Sequence, residues 1–285
     1  MLGISEVLRS EHFVNNAVQF AVGRNPALQD FAEERVWGLA RTAASEMAAF
    51  EEIARNNPLR TPKTPEQARR IVAIWDVSAM GTYLKEFQDD RWKNTPWAAW
   101  TDRRRLNYSA TLIRKLTAVI TGQSYKTSIG VRPGSREIAQ LRADIENFGP
   151  HLIYGSTFEQ NNDLREVLNV SGVALPKSKA YIIDDPLKTE GVNTVDQMKS
   201  FTLPPNLHIQ DGDVLVIVAH APHMMRTLHL ANRYKPFPEN LIIQPHPIPS
   251  PLLAGTDYAT SEISGTLYYT FITRDSSEQI HPYEL

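Results

Sequence analysis

The run Val214-Leu215-Val216-Ile217-Val218 is the most restrictive feature of the chain. It is wholly apolar and mostly β-branched, with no polar position to turn toward water, so it reads as a strand buried on both faces. Burial on both faces belongs to a central strand of a parallel sheet, and parallel neighbours need a long crossover between them, usually a helix. Similar short runs occur at Ile71 to Trp75, His151 to Tyr154, Lys179 to Ile183 and Asn240 to Gln244, with the central one extending back to Asp213. Each is followed by a turn or a helix-like pattern. Strands alternating with helices predict an α/β fold, a Rossmann-like, mainly parallel sheet with helices on both faces.

Ahead of these strands the apolar residues recur at spacings of three and four through Ile4, Leu8, Phe31, Val36, Leu39, Met47 and Phe50. This spacing predicts two or three amphipathic helices, broken near Asn25-Pro26 and closed by Asn57-Pro58, Pro62 and Pro65. The expected organisation is a helical appendage over residues 1–60, docked through its apolar stripe, and an α/β domain over residues 61–285. At 285 residues with 42% hydrophobic content, the chain is long enough to bury a full-sized core.

Thirty Lys and Arg against 32 Asp and Glu leave a net charge of −2. No broad basic field exists to hold nucleic acid, so any anion site must be local. The stretch from Trp92 to Tyr125, with Trp97, Trp100 and Arg103-Arg104-Arg105, is therefore read as an amphipathic helix with a solvated basic entry and a tryptophan-rich packing face. The alternative is a platform for stacking bases. The absence of cysteine excludes disulfides, thiolate zinc sites and a Cys nucleophile. Glu, Arg and His interrupt the first twenty residues, and no stretch reaches the roughly 20 apolar residues of a membrane span. A soluble, cytoplasmic protein without membrane partners is expected.

Ligands of open parallel sheets bind beyond the carboxyl ends of the strands. Gly155-Ser156-Thr157, with Glu159 a turn later, offers small residues that let backbone NH groups approach a ligand, although a βα turn needs such residues merely to bend. Asn193 or Thr194 fits a helix N-cap, with Asp196 and Gln197 in the first turn; ligand hydrogen bonding is the alternative use. The sharpest place is Ala219-His220-Ala221-Pro222-His223-Met224-Met225-Arg226, where a buried strand releases two imidazoles and a guanidinium at a helix start. That position favours an anion, Arg226 supplies paired donors for phosphate or carboxylate, and an imidazole with a pKa of about 6.5 suits proton transfer. His223 and His220 are the catalytic candidates. A purely structural account has His223 bonded to backbone and Arg226 paired with a carboxylate. His246, in Gln244-Pro245-His246-Pro247, tops the last strand in a proline-stiffened loop. A metal shared by His220, His223 and His246 is disfavoured, because the spacing is not that of two histidines on one helix face.

At these residues the chain resembles the DUF218 family, which includes YdcF-like and SanA-like proteins. Tyr154-Gly155-Ser156 with Glu159 matches the family's small-residue turn and acidic residue. Asn193-Thr194 with Asp196 and Gln197 matches its Asn-Thr segment, and His223-Met224-Met225-Arg226 its His-Met-x-Arg signature. Departures are Trp75-Asp76-Val77-Ser78 in place of a glycine-rich turn, Gly191 for Ser, Gln197 for Asn, and His220 for a small hydroxyl residue. The resemblance implies a Rossmann-like fold with a polar pocket at the strand ends and a nucleotide-like or phosphorylated ligand. It names neither a reaction nor a cofactor. Three functions follow as expectations: an enzyme acting on such a ligand, a non-catalytic sensor of it, or an adenosyl-cofactor (S-adenosylmethionine) protein in which Asp76 contacts a ribose. A nicotinamide dinucleotide is disfavoured, since no GxGxxG follows a strand.

Overall fold

The computed structural model describes residues 3–57, 59–77, 96–125, 136–155, 175–183, 194–250 and 255–285, with side chains from Arg105 onward in the third segment. Ser156, Glu159 and Asn193 lie outside the described residues. The elements in chain order are α1 (Ile4–Leu8), α2 (Glu11–Arg24), α3 (Glu33–Asn56), α4 (Pro65–Arg69), β1 (Ile71–Val77), α5 (Pro96–Thr121), α6 (Arg136–Phe148), β2 (His151–Gly155), β3 (Ala180–Ile182), α7 (Thr194–Ser200), β4 (Val214–His220), α8 (Ala221–Tyr234), β5 (Ile242–Ile248) and α9 (Gly255–Leu267). A π-helical turn, Tyr268–Ile272, continues α9. Among the described residues no helix is long and apolar enough to cross a membrane.

Among the described residues five strands form one parallel sheet in the order β3-β2-β1-β4-β5. Chain travel across the sheet reverses between β3 and β4, so β1 and β4 flank the topological switch point, where open α/β sheets place their ligands. Register sets Trp75 beside Ile217 and Asp76 beside Val218 on one side, and Asp76 beside Tyr154 on the other. Leu215, Val216, Ile217 and Val218 have no exposed surface, the double-sided burial expected of their uninterrupted apolar run. The last strand runs further than its β-branched core, through Pro245 and Pro247 to Ile248. Proline is tolerated there because β5 is an edge strand, where one row of backbone NH groups has no ladder partner to lose.

Two compact units divide the contacts. One comprises residues 59–218, 238–244 and 284–285, and holds most of the sheet with α4 to α7. In it α5 packs on β1, α4 and α6. The other joins residues 1–58, 219–237 and 245–283. Its first helices start at recognisable caps: Ser10 accepts from Phe13 NH at 3.2 Å, and Pro26 opens a 3-10 turn after Asn25. The helical spacing of the first sixty residues is realised in α1, α2 and α3, and their apolar faces meet α8 and α9. Met47, Ala43, Ala40 and Phe50 of α3 and Leu228 and Ala231 of α8 are fully or almost fully buried.

Candidate functional site

His220 ends β4 and is the residue before α8, with extended backbone at φ −63° and ψ 144°. Pro222 stands in the first turn of α8, where a missing NH costs nothing. His223 follows one residue later and has no exposed surface. Its Nδ1 lies 3.2 Å from Oε2 of Glu262 on α9. The same oxygen is 2.8 Å from Nε of Arg226, one helical turn beyond His223. Nη2 of Arg226 also comes within 3.3 Å of His223 Nδ1. Facing a carboxylate, Nδ1 carries the hydrogen and donates to Glu262. The guanidinium's favourable contact is then the one to Glu262.

Glu262 is fully buried. Burial alone would raise its pKa, but the charges of Arg226 and His223, with the His223 hydrogen bond, outweigh that and hold the carboxyl below its ordinary value. Oε1 has no hydrogen-bond partner among the described residues. The surface of α9 is cut to receive Arg226. A Cβ on Gly265 would stand 2.7 Å from Arg226 Nη1 and 3.4 Å from its Cδ, so a side chain there would push the guanidinium away. On the following π-helical turn the ring of Tyr269 lies with its centroid 5.8 Å from Arg226 Cζ, within cation–π range. Arg226 keeps 12% of its side chain exposed, whereas His223 and Glu262 keep none. Arg226 is therefore the member of the trio with exposed surface.

Other expected residues fall as follows. His220 packs edge-on to the ring of Tyr258, centroids 6.3 Å apart. His246 is buried inside β5, not in a loop after it, because the edge strand continues through the flanking prolines. Thr194 is the first residue of α7 and is buried. Gly155 closes β2; its Cβ would meet the Cβ of Ile183 at 3.2 Å, so close strand packing accounts for the glycine there. Among the described residues no three His, Asp or Glu side chains gather as they would around a metal ion.

Asp76 near the end of β1 belongs to a second buried polar cluster. Its Oδ1 pairs with Arg105 Nε, and its Oδ2 accepts from Ser109 Oγ at 2.7 Å. All three residues have no exposed surface. Both carboxylate oxygens are thus engaged in fastening α5 to β1. Arg105 corrects the expectation of a solvated basic entry: a buried carboxylate on β1 needs a counter-charge, and the third arginine of the run supplies it.

Glu262 is the functional candidate that sequence reasoning missed. Its signal was present, since it is the only charged residue between Asp257 and Arg274 in a stretch of apolar and small residues. A lone acid on such a helix has to find a buried partner.

Comparison with models of known families, with curated proteins and with solved structures gave no match to this chain.

Proposed function

We propose that the protein is a cytoplasmic enzyme that binds a phosphorylated or nucleotide-like small molecule at the start of α8, with Arg226 as anion contact and His223 as proton-transfer residue. One observation carries this reading: a fully buried carboxylate, Glu262, touches both the imidazole and the guanidinium through a single oxygen. A base oriented by a buried acid is the arrangement that positions an imidazole for general acid–base work. The positive end of the α8 dipole and the partly exposed Arg226 add elements that favour a phosphate. The DUF218 resemblance of His223-Met224-Met225-Arg226 points to the same residues.

The test is a thermal-shift screen with inorganic phosphate, nucleoside phosphates, sugar phosphates and S-adenosylmethionine, followed by turnover of each hit. A phosphorylated hit raises the melting temperature by mass action. His223→Ala is expected to keep binding and lose product formation, and Arg226→Lys to weaken binding. Retained turnover in His223→Ala, or stabilisation by S-adenosylmethionine alone, would refute the proposal. Binding without turnover in the parent protein would convert it to that of a ligand sensor.

A further inference from the structure

We propose that the surface cavity at the ends of α4, α5 and α6 binds a zwitterionic amino acid with an aromatic or large apolar side chain. The cavity has a volume of about 580 Å³, within the range of about 300–1,000 Å³ usual for small-molecule sites. All the residues that line it belong to the unit containing α4 to α7, and His223, Arg226 and Glu262 are not among them. This site is independent of the one at the start of α8.

Helix ends supply its walls. Arg69 is the last residue of α4, just ahead of β1, Ile120 and Thr121 close α5, and Phe148 is the last residue of α6, just ahead of β2. Gly122, at φ 68°, stops α5 in the left-handed conformation that glycine tolerates. The negative end of the dipole of this 26-residue helix therefore falls at the cavity, where it favours a positively charged group.

The charged side chains point to a ligand of both signs. Asp144 is only 8% exposed and lines the cavity. Tyr125 Oη donates to its Oδ2 at 2.6 Å and Gln140 Nε2 to its Oδ1 at 3.0 Å. Both donors are neutral, and Asp144 has no ion pair among the described residues. Burial, then the hydrogen bond to Asp144 and the charge of that carboxylate, raise the Tyr125 pKa, so the phenol stays a donor near neutrality. A carboxylate has about four lone-pair positions, so these two bonds leave room for an ammonium. Arg69 borders the same cavity, exposed, with neither a hydrogen bond nor an ion pair among the described residues. One anion and one cation thus line a single cavity without pairing with each other. A simple anion drawn to Arg69 would meet the charge of Asp144, and a simple cation drawn to Asp144 would meet that of Arg69. A zwitterion satisfies both: its ammonium supplies the counter-charge that a buried carboxylate needs, and its carboxylate accepts the paired donors of the guanidinium.

The third contact is apolar. Phe148 is 53% exposed, one of two large hydrophobic side chains left so among the described residues, the other being Leu285. Ile120 adds an aliphatic wall to the same cavity. An aromatic or large apolar side chain on the ligand would cover the Phe148 ring and take its own surface out of water.

Calorimetric titration of the full chain at pH 7 with L-phenylalanine tests the site, alongside three analogues that each lack one feature: phenethylamine the carboxylate, 3-phenylpropionate the ammonium and L-alanine the ring. L-phenylalanine is expected to bind one per chain and each analogue about tenfold more weakly or worse, as loss of one charge-assisted contact or of the apolar burial implies. Arg69→Gln should weaken L-phenylalanine by about tenfold and leave phenethylamine unchanged. Asp144→Asn should weaken L-phenylalanine and spare 3-phenylpropionate. Undiminished binding of L-phenylalanine by Arg69→Gln, or phenethylamine or 3-phenylpropionate binding as tightly as the amino acid, would overturn the zwitterion. Failure of L-phenylalanine, L-tryptophan and L-leucine alike to bind would overturn the site. Arg69 is exposed, so its replacement decides the matter even if Asp144→Asn does not fold.

Discussion

Replacing Glu262 by Gln removes the charge that Arg226 and His223 share while keeping the side chain's shape. Arg226 loses a partner at 2.8 Å and His223 one at 3.2 Å, at a carboxylate with no solvent exposure. Removing one member of a buried ion pair typically costs about 3–5 kcal/mol, because the other charge stays behind unpaired. The outward 12% of Arg226 lets water recover part of this, so a loss of about 3 kcal/mol is the expectation at neutral pH. For a chain of this size that corresponds to a melting temperature lower by on the order of 10 °C. The pH dependence gives the sharper check. The Glu262 carboxyl is held below its ordinary value of 4.5, so its stabilising contribution is full above that pH and disappears as pH falls through the lower folded-state value. Urea unfolding of parent and Glu262→Gln, followed by circular dichroism from pH 7 down to pH 3, should show a gap that is widest at neutrality and narrows at the acid end. Equal midpoints at pH 7, or a gap that stays constant to pH 3, would show that Glu262 does not hold Arg226 and His223 in place.

Three further outcomes are expected. Gly265→Ala should change stability by less than about 1 kcal/mol, because the obstructed atom is the tip of a flexible arginine and alanine favours the helix; phosphate-dependent thermal shift should nevertheless fall, and an unchanged shift would show that Arg226 does not need this position. Asp76→Asn should cost about 3 kcal/mol of stability, read from the urea midpoint, by taking from the buried Arg105 the carboxylate that its Nε meets, with partial recovery in Asp76→Asn/Arg105→Met; no loss would contradict the fastening of α5 to β1. Burial raises the Glu51 pKa, so the ionised form opposes folding increasingly as pH climbs above the usual carboxylate range. Glu51→Gln should therefore gain on the parent in melting temperature between pH 5 and pH 8, and a constant difference would refute this.

The five described strands could be read from the sequence, because each contains a short apolar run with a β-branched residue, which is a local property. What could not be read depends on distant partners. Glu262 meets His223 across 39 residues, and Arg105 meets Asp76 across 29. A basic run looks solvated until a buried acid claims one of its members. The end of β5 was obscured for another reason: proline ordinarily signals a loop, and only the strand order shows that this strand lies at an edge. The strand-end position and the resemblance that drew attention to His223 and Arg226 both concern residues close in sequence, so neither could supply the carboxylate behind them. Position also separated uses that residue type alone leaves open, since Gly155 and Asp76 both have packing roles in the structure.

The interleaved make-up of the helical unit bears on how the chain is made. Helices α1 to α3 leave the ribosome well before α8 and α9, which cover their apolar faces and come from residues 221–267. At about 5–20 residues per second, the early helices wait roughly ten seconds or more with Met47 and Phe50 lacking their final partners. Such contacts, distant along the chain, close slowly and leave sticky surface open in the meantime. Nascent chains stalled before α8 should therefore be held by chaperones or aggregate.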